Sequence, residues 1–219
     1  MDQNFWHERW EQGKIAFHEK AVNPLLVKHF AELSLARGRR VFLPLCGKTL
    51  DIAWLLAKGY AVAGVELSKI AIEQLFAELK VNPAITQAGR LKHYRALNLD
   101  VFVGDFFDLS REPLGRVDAV YDRGALVALP EASRPHYAAH LMDLTNNAPQ
   151  LLIGYEYQQS LMDGPPFSIS HEEVGRHYGA SFDLTLLASV DVQGGLKGMC
   201  AAKESVWLLK NASYPRAST

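Results

Sequence analysis

The chain has 219 residues, 48% of them hydrophobic and 21% charged, with a net charge of −1. That balance supplies a core for one globular domain and excludes a disordered chain and a polybasic binder of nucleic acid or anionic membrane. Two cysteines are too few for a disulfide framework, no apolar run is long enough to span a bilayer, and Met1–Asn4 do not read as a signal peptide, so a cytoplasmic protein is expected.

Residues 4–13, NFWHERWEQG, read as a short helix with Asn4 as N-cap and Gly13 as stop. Trp6 is expected to staple this helix to the domain. Trp10, four residues on, could instead cover a cofactor edge. Lys14–Lys20 reads as an extended loop in which Phe17 and His18 either point into a site or seal the segment. Asn23 and Pro24 then supply a cap and a first-turn proline for a helix over 25–37, stopped by Gly38.

Val41–Ser68 is the organising stretch. Val41–Leu45 reads as a buried strand, Cys46-Gly47-Lys48 as a tight turn, and Thr49 as the cap of a helix ending near Lys58-Gly59. Ala61–Val65 is a second strand and ends in Glu66. In an open parallel sheet, ligands sit beyond the carboxyl ends of the strands. Gly47 lets backbone approach a ligand, and Glu66 can accept both hydroxyls of a ribose. An ordinary strand–helix–strand unit with a surface glutamate would show the same pattern.

A phosphate-cradling loop needs glycine five positions before the Gly-Lys pair, and Phe42 stands there. A dinucleotide fingerprint needs three glycines, and only Gly47 is present. The implied cofactor has a ribose to hold and no pyrophosphate, a description that S-adenosylmethionine (SAM) fits. Its sulfonium would gain about 0.5–2 kcal/mol beside an aromatic ring such as Trp10.

Ser68 caps a helix through Leu79, and Asn82-Pro83 follows. Residues 84–98 read as a loop or short hairpin, with a solvated loop preferred. Leu99–Val103 is the next strand. The Gly104–Asp108 turn after it suits an adenine, with one of Phe106 and Phe107 in the core and the other facing the cofactor. Val117–Tyr121 is the fourth strand. Arg123 beyond it is either a cation in the reaction crevice or half of an Asp122–Arg123 surface pair.

A helix over 132–146 with Tyr137, Leu141 and Leu144 inward leads to a fifth strand, Leu151–Tyr157. Loop 158–168, tipped by Phe167, could be a substrate lid or a plain connector. Ser170-His171-Glu172-Glu173 reads as a capping box. Strands at 182–190 and 204–210 form a closing hairpin across a glycine-rich loop, and the tail after Asn211 reads as loose.

The expected fold is therefore α/β: a doubly wound, mostly parallel seven-stranded sheet with a C-terminal antiparallel hairpin. Residues 1–40 form an N-terminal helical cover and 41–211 the core, in a single domain over 1–219.

These stretches together resemble the bacterial thiopurine S-methyltransferase family, within the class I SAM-dependent methyltransferases. The carrying residues are Phe5–Trp10 with Phe17-His18-Glu19, Pro44–Lys48, Gly64–Ser68, Gly104–Phe107 and Tyr121–Leu129. The resemblance implies SAM held by Trp10, Leu45, Glu66, the Asp105-Phe106 turn and Arg123, beside the close backbone approach already expected at Gly47. It implies an aromatic or heterocyclic thiol as acceptor, bounded partly by Phe17 near Arg123, the one expected catalytic residue. Ala16 stands where the family often has glycine, and residues 194–203 match least. A monomer with a small-molecule thiol substrate is expected, with no metal, nucleic-acid or membrane partner. The rival readings are a SAM-binding module without turnover and an NAD-dependent oxidoreductase.

Overall fold

The structure, a computed structural model, describes residues 3–211, so the tail expected to be loose after Asn211 lies outside them. The chain divides into two compact units, Met1–Asp118 and Ala119–Thr219.

The first unit opens with α1 (Gln3–Glu11), two residues earlier than an Asn4 cap implies. After the turn at 15–18, α2 (Pro24–His29) begins at the expected cap: Asn23 Oδ1 accepts from the N–H groups of Leu25 and Leu26 at 2.8 and 3.0 Å. The helix expected to reach Arg37 instead tightens into a 3-10 turn at Phe30–Leu33 and ends at Ser34, which is left-handed at φ 53°. Phe30 is buried and meets Trp54 and Tyr60 edge-on at 5.6 and 4.9 Å between ring centroids. That aromatic anchor, which periodicity does not reveal, holds the segment where it stops.

The organising stretch folds as strand, turn, helix, strand: β1 (Arg40–Leu43), α3 (Leu50–Ala57) and β2 (Ala61–Glu66), followed by α4 (Lys69–Leu79). The hydroxyls of Thr49 and Ser68 cap α3 and α4, accepting from Asp51 and Ala71 N–H at 3.3 Å each.

Residues 84–98 take the hairpin of the two expected alternatives, not the solvated loop. They form a hairpin, β3 (Ala84–Ala88) and β4 (Leu91–Ala96), antiparallel to β5 (Leu99–Val103). Leu91, His93 and Tyr94 are buried. Two of the basic side chains that make the stretch look solvated, His93 and Arg95, are paired across strands. Arg40 and Arg95 reach the Asp100 carboxylate at 2.9 and 3.1 Å, and His93 Nε2 lies 2.7 Å from it while its ring stacks on Phe102 at 4.4 Å. In this unit the strands lie in the order β3-β4-β5-β2-β1, with β5, β2 and β1 parallel. A short helix, α5 (Arg111–Leu114), closes the unit.

The second unit starts with β6 (Ala119–Arg123), two residues later than expected and including Arg123 itself. Then come α6 (Arg134–Thr145), β7 (Gln150–Tyr157) parallel to β6, and α7 (His171–Tyr178). The hairpin of β8 (Phe182–Asp191) and β9 (Ala202–Asn211) is antiparallel, as expected, and gives the order β6-β7-β9-β8. The described strands thus number nine, not seven, and the surplus is the β3–β4 hairpin.

Tyr137, Leu141 and Leu144 on α6 are buried, as the spacing predicts. The capping box is half present. Ser170 Oγ accepts from Glu173 N–H at 3.2 Å, but the Glu173 carboxylate is taken by Arg134 Nη1 at 2.7 and 2.9 Å. Loop 158–168 is pinned within this unit. Phe167 N–H donates to Val127 O at 2.7 Å, Tyr157 OH to Pro166 O at 2.7 Å, and Lys197 Nζ to Pro165 O at 2.6 Å. Met162 of this loop packs with Leu196 and Cys200 of the glycine-rich connection, which is therefore partly core. Among the described residues, no helix is long and apolar enough to cross a membrane.

Candidate active site

The carboxyl ends of β1, β2 and β5 carry the first unit's expected cofactor residues. After β1 the chain turns through Pro44–Lys48, with Leu45 left-handed at φ 46° and Gly47 at φ 53°. A left-handed conformation costs a residue with a Cβ roughly 1–2 kcal/mol. Gly47 avoids that cost, and Leu45 bears it because the turn is stitched to β2 from both sides. Cys46 N–H donates to Val65 O at 3.0 Å, and Gly47 N–H donates to Glu66 Oε2 at 2.8 Å. Gly64 on β2 makes the stitch possible, since a Cβ there would lie 2.8 Å from Cys46 Sγ.

Glu66 is the centre of this arrangement. It is buried at 6% exposure, and its second oxygen, Oε1, accepts from Ser68 N–H at 2.8 Å. Burial pushes its pKa up, while the N–H groups of Ser68, Gly47 and Leu67 pull it back. A carboxylate offers about four acceptor directions. Gly47 and Ser68 take one direction on each oxygen and Leu67 N–H also draws on the group; a direction left over can accept from a ribose hydroxyl, so this carboxylate fits SAM. Burial and then the Glu66 charge hold the thiol of Cys46 well above its ordinary pKa, which disfavours the thiolate.

After β5, Asp105 caps a 3-10 turn at Phe106–Asp108. Its Oδ1 accepts from Phe107 N–H at 3.0 Å and its Oδ2 from the side chain of Gln3 at 2.5 Å. Phe106 is 1% exposed, so its side chain is core and only its backbone is left to meet a ligand; Phe107, half-buried, is the ring on the outer side.

Trp10 on α1 is buried, and its ring lies 3.4 Å from the position a Cβ on Gly47 would take. Trp6 and Trp10 both meet Phe17 edge-on, at 5.5 and 5.6 Å between centroids, while Phe17 remains 40% exposed. The N-terminal helix is thus anchored at one end to the turn after β1 and, through Gln3, at the other to the turn after β5. Sequence reasoning missed Gln3, because a lone polar residue ahead of the expected cap carries no signal.

Arg123 belongs to the second unit, half-buried at the carboxyl end of β6. Its neighbour Asp122 is fully buried, which excludes the surface-pair reading. Its Oδ1 accepts from Leu126 N–H at 3.2 Å and its Oδ2 from Tyr137 OH at 2.7 Å, and burial raises its pKa to about 6. Among the described residues no group of three or more metal-ligating side chains is placed to hold an ion.

The chain is similar to known proteins over most of its length. The family model described as thiopurine S-methyltransferase matches residues 1–212. A thiopurine S-methyltransferase of Xanthobacter autotrophicus is 54% identical over 213 residues, covering 97% of this chain and 100% of that protein. One from Teredinibacter turnerae is 50% identical, covering 95% of this chain and 97% of that protein.

Among solved structures, the Burkholderia thailandensis 1,6-didemethyltoxoflavin-N1-methyltransferase, with S-adenosylhomocysteine bound, has a TM-score of 0.66. It is 16% identical, covering 95% of this chain and 87% of that one. The magnesium protoporphyrin IX methyltransferase of Synechocystis, also with bound S-adenosylhomocysteine, has a TM-score of 0.62. It is 13% identical, covering 96% of this chain and all of that one. The fold is that of the class I methyltransferases, and the chain belongs to the thiopurine S-methyltransferase family.

Proposed function

We propose that the protein is a SAM-dependent S-methyltransferase acting on aromatic or heterocyclic thiols such as thiopurines. The observation that carries this reading is Glu66, buried at the end of β2 and tied through both oxygens to the N–H groups of Gly47 and Ser68. That carboxylate would hold the ribose, and the backbone of the Leu45–Gly47 turn and the Asp105–Phe106 turn would hold the rest of the cofactor. Bound SAM supplies a methyl group to the attacking sulfur, with S-adenosylhomocysteine as the product.

The chain's own contribution is positioning and exclusion of water. Aromatic thiols are acidic enough to be ionised near neutral pH, so no general base is required of the protein. Arg123 favours the anionic sulfur. Trp6, Trp10 and Phe17 form an apolar cover on the first unit, with Phe17 the exposed member that an acceptor ring would meet. An NAD-dependent oxidoreductase is disfavoured by the single glycine of the first turn and by the closing antiparallel hairpin.

The test is incubation with methyl-labelled SAM and a panel of thiols. Label on the sulfur of an aromatic thiol is expected. SAM binding with no transfer to any thiol would replace the enzyme by a binding module, and retention of NAD in place of SAM would restore the oxidoreductase. Arg123→Ala is expected to slow the turnover of anionic thiols more than it weakens SAM binding; unchanged rates remove Arg123 from the reaction.

A further inference from the structure

Asp122 is a charged group that the reaction, as read above, does not use. It is fully buried at 0% exposure, in a position where an unpaired carboxylate would be costly. Side chains alternate along a strand, so Asp122 and Arg123 leave β6 on opposite faces. The carboxylate's bonds lie within the second unit. Oδ1 accepts from Leu126 N–H at 3.2 Å and so closes the turn after the strand, while Oδ2 accepts from Tyr137 OH on α6 at 2.7 Å. Ala125 N–H adds to the pull on the same group. Tyr178 on α7 is fully buried within electrostatic reach of Asp122, and its hydroxyl has no hydrogen-bond partner among the described residues.

We propose that Asp122, held by Tyr137, is the positioning residue for Arg123, fixing the turn from which the guanidinium meets the anionic sulfur of the acceptor. The proposal rests on the reading of Arg123 given above. Asp122 has no exposed surface with which to meet acceptor or cofactor. It joins the residue next to Arg123 to the N–H three residues beyond it, and through Tyr137 it joins both to the rigid frame of α6. The strand end cannot rotate without breaking one of these bonds. The pKa near 6 leaves the group charged at neutral pH, where it binds both donors most strongly.

The test compares Asp122→Ala, Asp122→Asn, Tyr137→Phe, Arg123→Ala and the Asp122→Ala/Arg123→Ala double variant. The acceptors are 4-nitrothiophenol, ionised at neutral pH, and benzyl mercaptan, which is not. Asp122→Ala is expected to lower kcat for 4-nitrothiophenol at least tenfold and that for benzyl mercaptan less than threefold. S-adenosylhomocysteine affinity is expected to change less than threefold, and the double variant to be no slower than Arg123→Ala alone.

Asp122→Asn keeps an oxygen for Leu126 N–H and is expected to recover most of the rate, with Tyr137→Phe intermediate. Equal losses for both acceptors, or losses that multiply in the double variant, overturn the proposal. If Asp122→Ala does not fold by circular dichroism, Tyr137→Phe in the Arg123→Ala background decides the same question, and a further independent loss overturns it. If Arg123→Ala leaves both rates unchanged, the reading of Arg123 fails and takes the proposal with it. If Arg123→Ala slows 4-nitrothiophenol and the Asp122 and Tyr137 variants do not, the proposal alone fails.

Discussion

At the scale of single residues, two buried carboxylates are placed for opposite reasons. Glu66 ends β2 and uses one acceptor direction on each oxygen to fix the Gly47 turn and the start of α4. Glu66→Ala removes the expected ribose contacts and leaves two backbone N–H groups unpaired, each worth about 1–3 kcal/mol. We expect the Kd for S-adenosylhomocysteine, measured by titration calorimetry, to rise at least thirtyfold; a rise below threefold would remove Glu66 from the cofactor site.

Asp122 has a pKa raised from 3.8 to about 6, first by burial. The folded state therefore binds a proton more tightly than the unfolded chain between those values, and stability falls as pH rises from about 4 to about 6. At one pKa unit per about 1.4 kcal/mol, the full effect is on the order of 2–3 kcal/mol. Urea unfolding of Asp122→Asn across this window is expected to show a flatter pH profile than the parent. Parallel profiles would mean that the buried carboxyl does not titrate there.

At the scale of elements, the pattern of apolar residues located most strands and helices, and the departures have a common cause. Residues 84–96 look polar because Lys92, His93 and Arg95 interrupt the apolar positions, yet Leu91 and Tyr94 are core and Asp100 takes up His93 and Arg95. The capping box at Ser170 is likewise legible only in half. Glu173 is spent on Arg134, whose Nε also donates to Leu129 O at 2.9 Å. Both members of this pair are buried, so Arg134→Ala strands a carboxylate beside His177 Nε2 at 3.2 Å. Breaking such a pair costs about 3–5 kcal/mol, whereas replacing both partners with apolar residues costs much less. Urea unfolding is expected to show that loss for Arg134→Ala and a smaller one for the Arg134→Met/Glu173→Leu double variant. A single-variant loss below about 1 kcal/mol would place the pair among weak surface bridges.

At the scale of the whole molecule, ligand linkage offers a test that needs no acceptor. A ligand bound only by the folded state stabilises it by about 2.7 kcal/mol at a hundred times its Kd. For a chain of this size each kcal/mol moves Tm by about 2–4 °C, so S-adenosylhomocysteine is expected to raise Tm by roughly 5–10 °C. NAD at the same concentration is expected to leave it unmoved. A shift with NAD and none with S-adenosylhomocysteine would reverse the choice of cofactor.

The sequence by itself determined the strand–turn–helix–strand order around Gly47, the acid at the end of β2, the aromatic N-terminal segment and the closing hairpin. Each is written in local chemistry: caps, glycines, and apolar spacing that neighbouring residues impose on one another. Only the tertiary structure decided that Glu66 is braced by two N–H groups, that Gln3 holds Asp105, that Asp122 is buried under Tyr137, and that residues 84–96 are sheet. The Gly47, Gln3 and Tyr137 contacts join residues 15 to 102 positions apart, and the nearer ones, Ser68 to Glu66 and β3 to β4, are sorted only by burial beneath other elements. No window of sequence contains them, because a carboxylate's partners and its desolvation exist only once the chain has closed around it.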